Sequence, residues 1–383
     1  MIVSGVVKRG RKVFLCLHPS VANQYLTKDP GMFAYIMGRD FNYDGYVACY
    51  RNGEYPDLET ETKGLNLVFM EKGFLHPVFG SLPDRLFFIL RNAKKIDVLQ
   101  VFQFSWPSLL SGMLYKLLNP KGVVYIKLDL DFEHIHEYGN AIRDFVLCSS
   151  LAHYDIISVE SEKALEYLKS HPSLKRLSSD FHCIPNGVDV AALSRFSGAW
   201  KDKENIVLYN GRLGSPQKAT DVALEAFDRA SRGFPTWKLV LIGPAEKGFE
   251  GMLAKYRKNP QIKYLGFVSK EELYGYFRKS KIFLFPSRFE SFGFSQFEAG
   301  FFGCAVLGSD IVAMRQATGD GRFGGLCPVD GVNCFEEKLR GMMSSEKSLM
   351  EKSEGMRRHI IENYDWHGVC AGLESIIGSL RMK

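Results

Sequence analysis

KIFLFPSRFESFGFSQFEAG, Lys281–Gly300, is the stretch whose reading decides the fold. It begins as a short Ile/Phe/Leu run with the composition of a buried strand, and it breaks at Pro286. A loop of aromatic residues follows, in which Gly293 is free to take a positive φ. Small and apolar residues after it read as a helix. Glu290 and Glu298 bracket the loop, but their spacing alone says nothing, because Glu346/Glu354 and Glu354/Glu362 repeat it. The strand–loop–helix order is what carries information. Ser295 with Glu298 three residues on predicts a capping box, hydroxyl to helix and carboxylate back to the Ser295 amide. The same arrangement presents free N–H groups beyond a strand end, a ready site for phosphate. Carboxylates flanking such a site suit hydroxyl-rich partners, since each can accept two hydroxyl hydrogens.

A second stretch, YNGRLGSPQKATDVALEAF (Tyr209–Phe227), has the same order of strand, Gly/Pro loop and helix. Arg212 falls at the strand end and Lys218 at or just before the helix start, where the macrodipole disfavours a cation. Two solvated surface cations are the plainer explanation. A bound diphosphate better explains two cations at successive strand ends facing a helix N-terminus.

Short, nearly continuous apolar strands alternate with amphipathic helices along the rest of the chain. KVFLCLHP, YVACYR, LNLVFM, VLQVFQF, VVYIKLD and DIISVES fill the first half; IVLYNGRL, KLVLIGP, IKYLGFV, KIFLFPS and CAVLGSD fill the second. The pattern implies parallel sheets covered on both faces. HCIPNGVDVAALSRF interrupts it, so the chain is read as α/β with two doubly wound Rossmann-like domains, 1–183 and 184–360, and a helical segment 361–383 that can pack back on the first domain. Ligands of such sheets bind beyond the carboxyl ends of the strands. For two facing domains, that is the cleft between them.

Composition narrows the function. The 383 residues suit two cores, and 46% apolar with 24% charged content is that of an ordinary globular protein. A net charge of +6 is mild, and KRGRK (Lys8–Lys12) is too short a basic run for a nucleic-acid groove, so no nucleic-acid partner is expected. The eight cysteines, Cys16, Cys49, Cys148, Cys183, Cys304, Cys327, Cys334 and Cys370, form no CxxC and lie mostly in apolar runs. They are read as reduced residues of a cytoplasmic protein, without zinc or disulfides. No apolar run is long enough to span a membrane. WPSLLSGMLYKLLNP (Trp106–Pro120) is an amphipathic helix, read as core-facing with peripheral contact at the inner membrane face as the alternative.

GRLGSPQKATDVALEAF, LVLIGP, IKYLGFVSKEELYGYF and FPSRFESFGFSQFEAGFFGCAVLGSD together resemble the nucleotide-sugar half of the family-4 retaining glycosyltransferases of the GT-B fold. The ordered set covers roughly Ile206–Asp310; in the first half only IPNGVD and the SVESEKALEYL helix entry fit. The resemblance implies that Arg212 and Lys218 hold a donor diphosphate, Glu290 contacts the donor sugar and Glu298 takes the ribose hydroxyls. It also implies backbone contacts from Phe292, Gly293, Phe294, Ser295 and Gln296, with Phe267 and Val268 facing the base. The family's N-terminal double glycine is absent, leaving Gly31 in KDPGMF as the comparable backbone approach. Where the family often has a His in the first domain, VVYIKLDLD places Lys127, with Asp129 two residues on. Lys127 is a candidate catalytic group with Asp129, or else a buried lysine paired to Asp129 or Asp131.

The expected function is retaining transfer of a hexosyl group from a UDP- or GDP-sugar to a hydroxyl acceptor, a sugar or glycan that can be lipid-linked, in cell-surface polysaccharide or lipid-linked glycan assembly. Neither cofactor nor metal is expected. Two alternatives stand beside it. One is a catalytically silent nucleotide-sugar-binding protein; the other is a metal-dependent transferase using DLD at Asp129–Asp131, with His134 and His136 nearby read as surface residues.

Overall fold

The structure, a computed structural model, describes residues 10–130, 132, 133 and 149–382. Asp131, His134, His136 and Cys148 therefore lie outside the described residues. The chain divides into two compact units, residues 1–186 with 366–383 and residues 187–365. The sequence reading put these divisions at 183/184 and 360/361.

Unit 1 holds a seven-stranded sheet in the order β3-β2-β1-β4-β5-β6-β7. Its strands are β1 Lys12–Leu17, β2 Tyr43–Cys49, β3 Asn66–Phe69, β4 Val98–Phe102, β5 Val123–Lys127, β6 Ile156–Val159 and β7 Phe181–Cys183. Every pairing is parallel. β4 and β5 are buried at all five positions, as strands covered by helices on both faces must be. The helix Asp29–Asp40 begins with Pro30 in its first turn, where a missing N–H costs nothing. Trp106–Leu118 buries Ser108, Leu109, Ser111, Gly112 and Tyr115, so it faces the core. The last helix, Trp366–Met382, belongs to this unit. Fully buried Trp366 meets the Phe33 ring edge-on at 5.0 Å, and the Tyr43 hydroxyl donates to Glu374 at 2.7 Å.

Unit 2 holds a six-stranded parallel sheet in the order β10-β9-β8-β11-β12-β13. The strands are β8 Glu204–Asn210, β9 Lys238–Ile242, β10 Ile262–Tyr264, β11 Ser280–Phe285, β12 Ala305–Ser309 and β13 Gly325–Cys327. β11 and β12 are buried at every position. The chain passes from β8 outward to β9 and β10, then returns to lay β11 against the other edge of β8. The carboxyl ends of β8 and β11 thus form the point where strand order reverses, the usual crevice for ligands of such sheets.

Two expectations are corrected here. The cysteines are not all free thiols: Cys327 and Cys334 are joined, with Cα atoms 5.7 Å apart. β13 ends at Cys327, a turn closed by the Gly331 amide on the Pro328 carbonyl (2.9 Å) reverses the chain, and helix Val332–Ser344 brings Cys334 back beside it. Ser295 does not cap the helix after β11. That helix runs Phe294–Phe301, and Gly293, at φ +73°, occupies the cap position. The glycine turns the chain into the helix two residues earlier than the sequence pattern suggests, leaving Ser295 inside the first turn.

Candidate functional site

The loops after β8 and β11 bring the second-half residues together. Lys218 comes from the first loop and Glu290 from the second, and they form an ion pair between Nζ and Oε1 with both side chains largely buried. The two loops are stitched through their backbones as well. The Arg288 amide donates to the Gln217 carbonyl at 2.8 Å, and Gln217 Nε2 donates to the Phe289 carbonyl at 3.1 Å. The Arg288 side chain bonds the Pro216 carbonyl and lies 2.9 Å from Asp221 and 2.7 Å from Asp330. Partial burial opposes its charge, but those two carboxylates win and raise its pKa.

Local backbone chemistry explains why Lys218 stands where it does. Gly214 takes φ +86°, and Ala219, a non-glycine at φ +48°, closes the loop just before helix Thr220–Ser231. That strained corner is held from two sides. The Tyr209 hydroxyl donates to the Lys218 carbonyl at 2.9 Å, and the Gly214 amide donates to Thr220 Oγ1 at 3.1 Å. Arg212 is more open, at 55% side-chain exposure, and is held by Glu246 (3.3 Å) and Gln217 (2.8 Å).

On the β11 side, Gly293 is required twice over. Its φ is positive, and a Cβ there would stand 2.9 Å from the Phe285 ring and 2.7 Å from the Gln296 amide. Fully buried Gln296 donates to the Phe292 carbonyl at 2.7 Å, while its Oε1 meets no donor. Phe292 is buried and stacked on Phe297 at 4.1 Å, so only its backbone can serve a ligand. Asn210 reaches Ser295 Oγ at 3.4 Å, and Glu298 is half-buried within the same helix. After β10, Phe267 is exposed, whereas Val268 packs on the apolar cluster beneath helix Lys270–Lys279. The chemistry at the β8 and β11 strand ends is therefore one cation held by one carboxylate, a second cation on the same loop, and the first-turn amides of an eight-residue helix.

The first-half candidates, all in unit 1, have other occupations. Gly31 lies in the first turn of helix Asp29–Asp40. A Cβ there would fall 2.1 Å from the Leu26 carbonyl oxygen, and its amide donates to the Lys28 carbonyl at 3.0 Å. Its smallness serves the turn, so the expected free backbone approach is not there. Lys127 ends β5 fully enclosed, 3.2 Å from Glu160 and donating to the Ile184 carbonyl at 2.8 Å. Its ion-pair partner is thus Glu160, which lies 33 residues further along the chain than Lys127 and has no local signal linking the two. Asp129 is exposed. Desolvation pushes the Asp29 carboxyl up to about 7 and that of Glu160 up to about 8, with Lys127 pulling both the other way. Among the described residues there is no group of three or more His, Cys, Asp or Glu that could hold a metal.

Sequence reasoning missed Gln217, Arg288 and Asn210, which tie the two loops together. The only available signal was the place of Gln217 and Arg288 in the SPQK and PSRFE loops and of Asn210 at the end of β8.

Comparison with known proteins agrees with this fold. A family model, Glycosyl transferases group 1, matches residues 191–363. A phosphatidyl-myo-inositol mannosyltransferase of Mycobacterium tuberculosis is 30% identical over 221 residues, 54% of this chain and 57% of the relative. A D-inositol 3-phosphate glycosyltransferase of Rhodococcus erythropolis is 27% identical over 222 residues, 52% of this chain and 50% of the relative. The chain thus spans little more than half the length of the relatives it matches. Among solved structures, a sucrose-phosphate synthase from Thermosynechococcus elongatus superposes with TM-score 0.74 at 17% identity, covering 97% of this chain and 99% of that one. Anabaena HepE in complex with UDP and glucose gives 0.74 at 14% identity, covering 96% and 100%.

Proposed function

We propose, for a chain whose residues 191–363 match the Glycosyl transferases group 1 model and that folds as two doubly wound units of GT-B type, that it moves a hexosyl group from a nucleotide diphosphate sugar to a hydroxyl acceptor. The observation that carries this reading is the Lys218–Glu290 pair at the β8/β11 crevice, beside the N-terminus of helix Phe294–Phe301.

In the absence of donor, Glu290 is the counter-ion of Lys218. A diphosphate entering the crevice is a stronger partner for that ammonium and can also take the first-turn amides of the helix. Lys218 then changes partner, and Glu290 is released toward the sugar. There its carboxylate supports the positive character that develops on the sugar as the bond to phosphate lengthens. Arg212, exposed and within reach of solvent, adds the second positive charge. Glu298 is assigned to the ribose hydroxyls. The acceptor hydroxyl attacks from the side of the departing diphosphate and gives its proton to the departing oxygen, so configuration is retained, and the remaining charge is balanced by Lys218, Arg212 and helix amides without a metal.

We assign the acceptor to unit 1 and read it as a polyol or glycan, in keeping with the inositol-based names of the relatives. The test is a thermal-shift and calorimetric screen of UDP- and GDP-sugars, followed by transfer assays with the donor that binds. A protein that binds no nucleoside diphosphate, or binds it equally well after Lys218→Ala, would end the proposal.

A further inference from the structure

Large apolar side chains stand in water along one stretch of unit 1, FMEKGFLHPVFGSLPDRLFFILRNAKK (Phe69–Lys95). Phe74 is 89% exposed, Val78 75%, Phe79 60%, Phe87 52% and Leu90 59%. Isolated exposed apolar residues need no explanation, but five on consecutive turns of one segment do.

These residues are held outward by specific contacts. Asp84, buried in the first turn of helix Leu82–Asn92, accepts from the Gly73 amide at 2.9 Å, lies 2.6 Å from His76 Nδ1 and takes the Tyr50 hydroxyl. That one carboxylate fixes the turn His76–Phe79 against the helix, so Phe74, Val78 and Phe79 cannot fold inward without breaking it. The helix itself buries Asp84, Phe88, Ile89 and Asn92, and it turns Phe87, Leu90 and Arg91 to solvent.

Charge decides what covers this face. Lys72, Arg91, Lys94 and Lys95 are all exposed, and the Arg91 guanidinium lies 3.8 Å from the Phe87 ring centre. Glu71 is the one exposed acidic residue in the stretch, Asp84 being engaged in its ties. In a symmetric pairing of two copies the same cations would face each other. Lysine is also depleted from the cores of protein interfaces. Aromatic and aliphatic side chains fringed by lysine and arginine match an anionic lipid surface, where rings enter the acyl boundary and cations meet headgroups.

We propose that this face of unit 1 docks on an anionic bilayer, with Phe74, Val78, Phe79 and Leu90 inserted and Lys72, Arg91, Lys94 and Lys95 at the headgroups. The face is distinct from Trp106–Leu118, the helix that the sequence pattern offers for membrane contact and that the core occupies.

The experiment is co-sedimentation of the full chain with phosphatidylcholine vesicles and with vesicles containing phosphatidylglycerol, without nucleotide. The chain should pellet with the anionic vesicles and be released by salt. Phe74→Ser/Phe79→Ser should weaken partition about tenfold, from the lost apolar insertion. Lys94→Glu/Lys95→Glu should weaken it by about tenfold or more on anionic vesicles only. Both variants should keep wild-type melting temperatures, which separates lost docking from lost folding. Failure to pellet with anionic vesicles overturns the proposal, as does unchanged partition of folded variants. So does a dimer in solution that Phe74→Ser/Phe79→Ser dissolves, since the occupant is then a second copy.

Discussion

Removing the negative charge of Glu290 tests the proposed exchange of partners most directly. Lys218 and Glu290 have side-chain exposures of 19% and 10%, so solvent screens the pair only in part. At a charge separation of about 4 Å and an effective dielectric near 20, the attraction is about 4 kcal/mol. Desolvation returns part of it, leaving about 1.5–3 kcal/mol, as for a typical hydrogen bond to a charged group. A diphosphate must overcome that net amount before it can use Lys218. Glu290→Gln keeps the shape and removes the competitor, so affinity for the bare nucleoside diphosphate should hold or rise, by up to about tenfold for 1.4 kcal/mol. Turnover should fall about a hundredfold or more, the scale for losing one electrostatic group aimed at developing charge. Lys218→Ala should do the opposite to binding, weakening it by about 10- to 150-fold for 1.5–3 kcal/mol. Calorimetry with UDP and GDP, with initial rates alongside, reads both effects. A tenfold loss of nucleotide affinity in Glu290→Gln would mean that the carboxylate helps hold the nucleotide, and the exchange would be wrong.

Gly293→Ala should lower stability by about 1–3 kcal/mol, because it places a Cβ at φ +73° against the Phe285 ring; thermal melts, with nucleotide titration of the folded fraction, check it. Reduction of the Cys327–Cys334 link should cost about 2.5 kcal/mol from the short loop that it closes, and Cys334→Ser should make the melting temperature insensitive to dithiothreitol. The Asp29 and Glu160 carboxyls are raised to about 7 and about 8 in the folded chain, above their unfolded values. The folded state therefore binds more protons between about pH 4 and pH 8, so the stability that they contribute at acid pH falls progressively from about pH 4 and levels off once pH passes the folded values of about 7 and about 8. Melting temperature should fall across that range, less steeply in Asp29→Asn. Transfer should survive excess chelator; activity abolished by chelator and restored by magnesium would overturn the metal-free reading.

Much of the fold was legible because buried parallel strands write themselves as unbroken apolar runs, as KIFLF and VVYI do. β7 and β13 escaped notice because each is a three-residue edge strand without the longer apolar run that marks β10, equally short, in IKYLGFV. At the site, Lys218 and Glu290 could be named from strand–loop–helix grammar, but their pairing with each other could not. It depends on β8 lying beside β11, a matter of strand order. The Ser295/Glu298 signature misled for a local reason: Gly293 can cap a helix by conformation alone, without a side chain. The Lys127–Glu160 pair joins the ends of neighbouring strands β5 and β6, and the nearer carboxylates Asp129 and Asp131 were the natural partners on spacing. The cysteine reading failed because redox class was inferred from composition, whereas the link depends on a turn that folds seven residues back on themselves.

The stitching of the β8 and β11 loops also bears on how the chain reaches its native state. Lys218 and Glu290 are 72 residues apart, and β9, β10 and three helices separate β8 from β11 along the chain. Contacts of such long sequence separation are among the last to be rewarded in folding, since loop closure is charged against them first. A partly folded unit 2, with β8 to β10 assembled and β11 still adrift, would have Lys218 but no Glu290 and no helix amides beside it. Nucleotide would then recognise only the finished sheet. Its binding should act almost wholly on the unfolding rate and leave the folding rate untouched, so saturating nucleoside diphosphate would lengthen the life of the native chain without hastening its formation.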